Sequence, residues 1–260
     1  MVSATRYSNY DPIAWIYKEY FGNDHIERAL PAFEQLLLQH LPEKARILDL
    51  CCGSGELAQK LLMKGYQVTG IDCSETMLRY ARENAPNAEF ILGDARFFEL
   101  PPTFHAVVST SGSLSYIINL EELICAFRSV YAALLENGLF VFNVYTEEEY
   151  QSGWNGNISG DVQKEYAWAV QQSYHPEEKV GRLNFTLFQL IEGTWQRLDT
   201  TLQEKCYSVP EVKQALEKAG FTEIKVYDAE RDLGVEQSAG HAYFVCRKPL
   251  IIPNPARQPL

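Results

Sequence analysis

The stretch Arg46-Ile-Leu-Asp49-Leu-Cys-Cys-Gly53-Ser-Gly55-Glu56 limits what this chain can fold into more than any other. Ile47, Leu48 and Leu50 read as a strand buried on both faces, the pattern of a parallel sheet. Gly53 and Gly55 permit a sharp turn and a close approach of backbone to a ligand, since neither carries a Cβ. A helix is expected over about 56–64, its first-turn amides aimed at whatever sits over the loop. Strand, glycine turn and helix in this order predict an alternating α/β architecture. Asp49 puts a carboxylate at the strand tip, which repels phosphate and suits a ligand with an ammonium group.

Two further strands end in acids. Gln67–Asp72 closes on Asp72, 23 residues after Asp49, near the spacing at which an acid accepts ribose hydroxyls in dinucleotide folds. Glu89-Phe-Ile-Leu-Gly93-Asp94-Ala95 places Asp94 just past a third tip, where a carboxylate can accept an adenine amino group and the Ala95 amide can meet a ring nitrogen. Phe104–Thr110 and Gly138–Val144 read as a fourth and a fifth strand. A nucleoside joined to an amino acid would use all three acids, and S-adenosylmethionine is such a ligand.

Asp49-Leu-Cys-Cys-Gly-Ser-Gly55, Asp72 and Gly93-Asp94-Ala95 resemble the ligand-binding motifs of class I S-adenosylmethionine-dependent methyltransferases. The order of elements is similar from about 44 to 144 and again from about 208 to 248. The usual loop of that family is acid-x-Gly-x-Gly-x-Gly; here Cys51 stands in the first glycine position. The resemblance implies a doubly wound, seven-stranded, mostly parallel Rossmann-like sheet whose last strand is antiparallel. It implies that Asp49, Cys51, Gly53, Ser54 and Gly55 hold the methionine end of the cofactor, Asp72 the ribose, and Asp94 with Ala95 the adenine. Cys73 and Met77 would line the adenine face, and the loop at Ser111 would approach the cofactor amino group. Tyr10-Asp-Pro-Ile-Ala-Trp-Ile-Tyr17 is similar to the opening of many small-molecule members, where tyrosines cover the methionine end; this points to Tyr10 and Tyr17. Tyr10, Tyr17 and Tyr20 fall near one helical face, which a plain packing stripe would also explain.

Other readings stay open at this stage. Gly53-x-Gly55-x-x-Ala58 satisfies the loose dinucleotide fingerprint, so an NAD(P)-dependent oxidoreductase is the alternative enzyme. Against it, Asp49 lies where phosphates would sit, and Asp94 has no task. A catalytically silent S-adenosylmethionine-binding protein is the alternative outside enzymes. A formal net charge of −11 argues against a nucleic-acid partner. The six cysteines show no metal-ligand spacing, so no metal is expected. The sequence carries no basic-then-apolar leader and no bilayer-length apolar run, which fits a cytoplasmic protein without membrane contact.

Residues 1–43 read as an N-terminal helical cap. Within it Ser3–Asn9 is a loose arm, Asp11 caps a helix running to about Tyr20 that Gly22 ends, and Pro31 breaks or starts further helix over Ile26–Leu41. Residues 44–144 and 207–248 form the S-adenosylmethionine-binding domain, and 249–260 a proline-rich surface tail. Residues 145–206 read as an inserted antiparallel β-meander. It opens with a flexible loop around Trp154, and three strands follow near Lys164–Tyr174, Val180–Ile191 and Thr194–Cys206. Such an insertion either roofs an acceptor pocket or joins two copies in a homodimer.

Methyl displacement from a sulfonium needs positioning and exclusion of water more than covalent help. A base matters only where the nucleophile must lose a proton. The run Ser109–Tyr116 lacks the Asn-Pro-Pro-aromatic box that grips flipped bases, and no Pro-Cys or Thr-Cys nucleophile follows strand four or five. Of the histidines, His105 starts a strand at the end away from the ligand, His175 sits in a turn, and His25 and His40 precede the core. His241 begins the antiparallel last strand, on the edge where the parallel strands end. It is the candidate base, and Tyr17 the candidate group against the sulfonium. The expected activity is methyl transfer to a nitrogen or oxygen of a small molecule.

Overall fold

The computed structural model describes residues 8–250; the expected arm at residues 3–7 and most of the expected tail lie outside them. Eleven strands appear among the described residues: β1 (Arg46–Leu50), β2 (Gln67–Asp72), β3 (Glu89–Leu92), β4 (Phe104–Ser109), β5 (Leu134–Tyr145), β6 (Asn155–Val162), β7 (Tyr166–His175), β8 (Val180–Ile191), β9 (Thr194–Lys205), β10 (Thr222–Asp228) and β11 (His241–Arg247). Seven of them form one sheet in the order β10-β11-β5-β4-β1-β2-β3. β1 pairs parallel with β2 and β4, while β11 runs antiparallel to both β5 and β10. This is the expected doubly wound sheet. The acid-tipped strands β1, β2 and β3 lie side by side, so their tips share one edge.

Helices cover both faces because both faces of the strands are apolar. On one side α5 (Leu120–Ala133) and α7 (Val209–Ala219) bury Phe127, Val130, Val212 and Leu216 against Phe140, Phe142 and Phe244. On the other, α2 (Gly22–Leu36) and α3 (Glu56–Met63) bury Phe33, Leu57 and Leu61 against Ile47 and Val141. Side-chain caps start three of the helices. Ser74 accepts from the Met77 amide at the start of α4 (Glu75–Asn84), Asn119 caps α5, and Ser208 with Glu211 forms a full capping box.

The N-terminal segment departs from expectation. Helical backbone is continuous from Asp11 to Leu36, through a 3-10 turn (Asp11–Ile13), one α turn, α1 (Ala14–Ile16), and a π turn (Tyr17–Phe21). Gly22 does not end a helix. A Cβ there would meet Glu56 Oε1 at 2.8 Å, so this glycine allows close approach to α3. Pro31 lies inside α2, which forgoes one ladder hydrogen bond there. Asp11 does not cap its own turn either. Its carboxylate accepts from Ser74 Oγ and the Thr76 amide, which docks the segment on the start of α4.

Residues between β5 and α7 form α6 (Glu147–Gly153) and a second sheet in the order β6-β7-β8-β9, one strand more than expected. The region around Trp154 is not a free loop. Trp154 is buried with Tyr150 and Cys206, and its ring lies where a Cβ on Gly181 of β8 would point. The inner face of this sheet, with Trp168, Val170, Phe185, Leu187 and Leu202, packs on Ile13 and Ile16. The second sheet and the N-terminal segment thus share one apolar cluster.

Candidate functional site

The turn after β1 is built from three left-handed residues: Cys51 at φ 60°, Gly53 at 53° and Gly55 at 86°. Cys51 therefore adopts the backbone that favours glycine in that position, at some cost in strain. Gly53 lines the cavity, and the Tyr17 ring lies 3.5 Å from where its Cβ would be. Gly55 does something else: a Cβ there would sit 2.9 Å from Ala81 Cα, so it permits α3 and α4 to pack. Ser54 is also turned away. It is buried, donates from Oγ to Glu56 Oε1 at 2.7 Å, and its carbonyl accepts from Asn84. Neither Ser54 nor Gly55 lines the cavity, because the turn needs them for its own geometry.

The three acids differ in their surroundings. Asp49 is 1 % exposed, and neither carboxylate oxygen has a hydrogen-bond partner among the described residues. Burial, then the charges of Asp72 and Glu56, push it up to about 8. An orphaned carboxylate beneath a left-handed turn fits the ammonium of an amino acid ligand. Asp72 accepts from the Gly53 and Ser74 amides, each at 2.9 Å, which orients it and leaves lone pairs for hydroxyl donors. Burial raises its proton affinity against those two bonds. Asp94 is held by Arg96, whose Nη2 approaches Oδ2 at 2.6 Å and whose Nη1 reaches Glu122 at 2.8 Å. Sequence reading missed that fork, although Arg96 stands only two residues on.

A cavity of about 1050 Å³ joins these groups to the second sheet. Asp72, Cys73, Met77, Asp94, Ala95, Cys51, Gly53 and Ser111 line its strand-tip side, whereas Asp49, buried in β1, is not among the lining residues. Tyr10 and Tyr17 also line it, Tyr10 edge-on to Tyr116 with centroids 5.1 Å apart. Tyr20 leaves this group and bonds Asp161 and Tyr166 of the second sheet, since the π turn shifts it off the Tyr17 face. Burial raises the Tyr17 phenol, so it stays protonated.

His241 lines the cavity as its position in β11 predicts. Its ring lies 4.7 Å from that of Tyr145, and Nε2 is 3.8 Å from Glu149 Oε2. Burial, then His25 and Arg28, lower it to about 4, so it is neutral at pH 7. His25, passed over in the sequence, lines the same cavity and is likewise lowered to about 4 by burial. Glu204 was missed altogether. It follows Leu202 at strand period on the inner face of β9, a signal that alternation does carry.

A methyltransferase-domain family model matches residues 47–138. The chain is 31% identical over 213 residues to the "Putative methyltransferase YqeM" of Bacillus subtilis (strain 168), covering 80% of this chain and 86% of that one. The chain belongs to the class I S-adenosylmethionine-dependent methyltransferases. This methyltransferase is also 32% identical over 155 residues to a dTDP-3-amino-3,4,6-trideoxy-alpha-D-glucopyranose N,N-dimethyltransferase of Streptomyces venezuelae, covering 59% of this chain and 64% of that one. Its fold is that of a crystallised S-adenosylmethionine-dependent methyltransferase from Clostridium acetobutylicum ATCC 824, with a TM-score of 0.74 and 19% identity over 93% of this chain and all of the other. Among the described residues of the methyltransferase, no group of three His, Cys, Asp or Glu side chains is placed to hold a metal ion, and no helix is long and apolar enough to cross a membrane.

Proposed function

We propose that this methyltransferase transfers the methyl group to a nitrogen or oxygen of a small molecule held between the strand tips and the second sheet. The observation that carries the reading is Asp49, a buried carboxylate with no partner among the described residues, at the floor of a turn whose other wall is Asp72. When bound, S-adenosylmethionine supplies a methyl group activated on a sulfonium. The residues of this chain then bind, orient and keep water out. Asp49 and the Gly53 turn hold the amino acid end, Asp72 the ribose hydroxyls, and Asp94 with Ala95 the adenine edge. Cys73 and Met77 lie along the adenine face, and the Ser111 loop lies near the amino group. Tyr10 and Tyr17 close the methionine end, and the second sheet, residues 155–205, roofs the acceptor. A phosphate-bearing dinucleotide fits poorly over a buried carboxylate, which disfavours the NAD reading.

Calorimetry tests this. S-adenosylmethionine and S-adenosylhomocysteine should bind and NAD should not. Asp72→Ala should weaken both ligands by about 2 kcal/mol or more, because it strips the ribose hydroxyls of a charged acceptor. Tight NAD binding with no heat from S-adenosylmethionine would overturn the reading.

A further inference from the structure

Glu204 is a buried carboxylate that the binding roles above leave unused. It stands on the second-sheet wall of the cavity, 3 % exposed, and accepts a hydrogen bond from Tyr150 Oη at 2.9 Å. Tyr116, Tyr10 and Tyr145 stand close enough to feel its charge. Among the described residues no lysine, arginine or histidine forms an ion pair with it, and the other carboxylate that faces it is Glu149. A carboxylate walled in by phenols lacks the counter-charge that burial demands, and the cavity is where a ligand would bring one.

We propose that the acceptor is an amine, and that Glu204 binds it as the ammonium and takes up the proton its nitrogen must lose. This inference rests on the methyltransferase reading above and names its substrate class. In the step, one N–H bond breaks and an O–H bond forms on the Glu204 carboxylate. The electron pair of the broken bond stays on nitrogen, as the lone pair that receives the methyl group. An ion pair becomes a neutral amine and a neutral acid, the form an enclosed aromatic wall accommodates best.

The titration of Glu204 suits that exchange. Burial pushes it up to about 7, against the pull of the Tyr116 and Tyr150 hydroxyls. The groups facing it are Tyr10, Tyr116, Tyr145 and Tyr150, all raised by burial and so uncharged near neutrality, and Glu149, also raised by burial. Two other assignments compete. The cofactor sulfonium is itself a cation that Glu204 could face. An acidic acceptor could instead be drawn by Arg28, His25 and His241, which line the same cavity.

Ligand-observed NMR on the full chain saturated with S-adenosylhomocysteine separates these, with benzylamine, benzyl alcohol and benzoate as probes. Benzylamine should bind the wild type, and Glu204→Gln should weaken it about tenfold or more while leaving benzyl alcohol unchanged. In the wild type, benzylamine affinity should fall as pH drops from about 8 to about 6, because Glu204 gains a proton and loses its charge. Glu149→Gln should keep that pH dependence. The wild-type pH series decides the matter even if Glu204→Gln does not fold. Preference for benzoate, or benzylamine binding indifferent to both pH and Glu204→Gln, would overturn the inference. So would a Glu204→Gln variant that loses S-adenosylmethionine far more than S-adenosylhomocysteine, since the carboxylate would then serve the sulfonium. Failure of S-adenosylhomocysteine to bind at all would remove the underlying reading and this one with it. Its binding without benzylamine would remove this one alone.

Discussion

Asp49 holds a carboxylate where the ligand-free protein can least tolerate a charge. Folding raises its proton affinity from the ordinary value of about 4 to about 8. Between those values the native state carries a proton that the unfolded chain has lost, so stability falls as pH rises through that window. Asp49→Asn removes the charge. Without ligand, the variant should be more stable than wild type by about 1–3 kcal/mol at about pH 9, and the gap should close toward about pH 5. Urea midpoints across pH will check this, and equal slopes for the two proteins would refute it. The same variant should lose affinity for S-adenosylmethionine, because an amide meets the ammonium less well than a carboxylate does. Stability and binding then move in opposite directions at one atom pair.

At the scale of elements, what the chain disclosed was local and what it hid was distant. The placing of Asp49 and Asp72 near the ends of β1 and β2 was legible because strand, acid and turn are contiguous. The caps of α4, α5 and α7 were legible for the same reason. Gly22 was misread because a glycine written in sequence looks like a helix end, while its neighbour Glu56 arrives from another element. β6 escaped because its side chains are nearly all exposed and show no alternation. Glu204 and His25 could be located on their elements, yet their meeting with Tyr10, Tyr116 and His241 depends on the whole topology. Gly181→Val would drive a methyl into the Trp154 and Tyr150 rings, each 2.7 Å from the Cβ position. It should cost about 1–3 kcal/mol, measured by denaturant unfolding, and loosen α6 from the second sheet. Hydrogen exchange over residues 8–20 should slow when S-adenosylhomocysteine binds, since Tyr10 and Tyr17 face the cavity. Exchange at Trp154, already buried, should barely change. Unaltered exchange over 8–20 would make the tyrosines ordinary packing residues.

For the whole molecule, the decisive arrangement is that one N-terminal segment belongs to two structures. Asp11 ties it to α4 beside Asp72, Tyr17 covers Gly53, and Ile13 and Ile16 sit in the apolar cluster of the second sheet. The segment beside the strand tips and the inner face of the second sheet are therefore one packed body. Anything that orders the first also completes the second. Under the proposed function the expected consequence is kinetic: the two reactants should not enter independently. S-adenosylmethionine should bind first and form the seat of the acceptor, and its spent form should leave last. Initial-rate measurements would show S-adenosylhomocysteine competing with S-adenosylmethionine yet not with the acceptor. The methylated product should compete with neither in the simple sense. A random pattern, with each reactant binding equally well to the empty protein, would mean that the shared segment stands already set before either arrives.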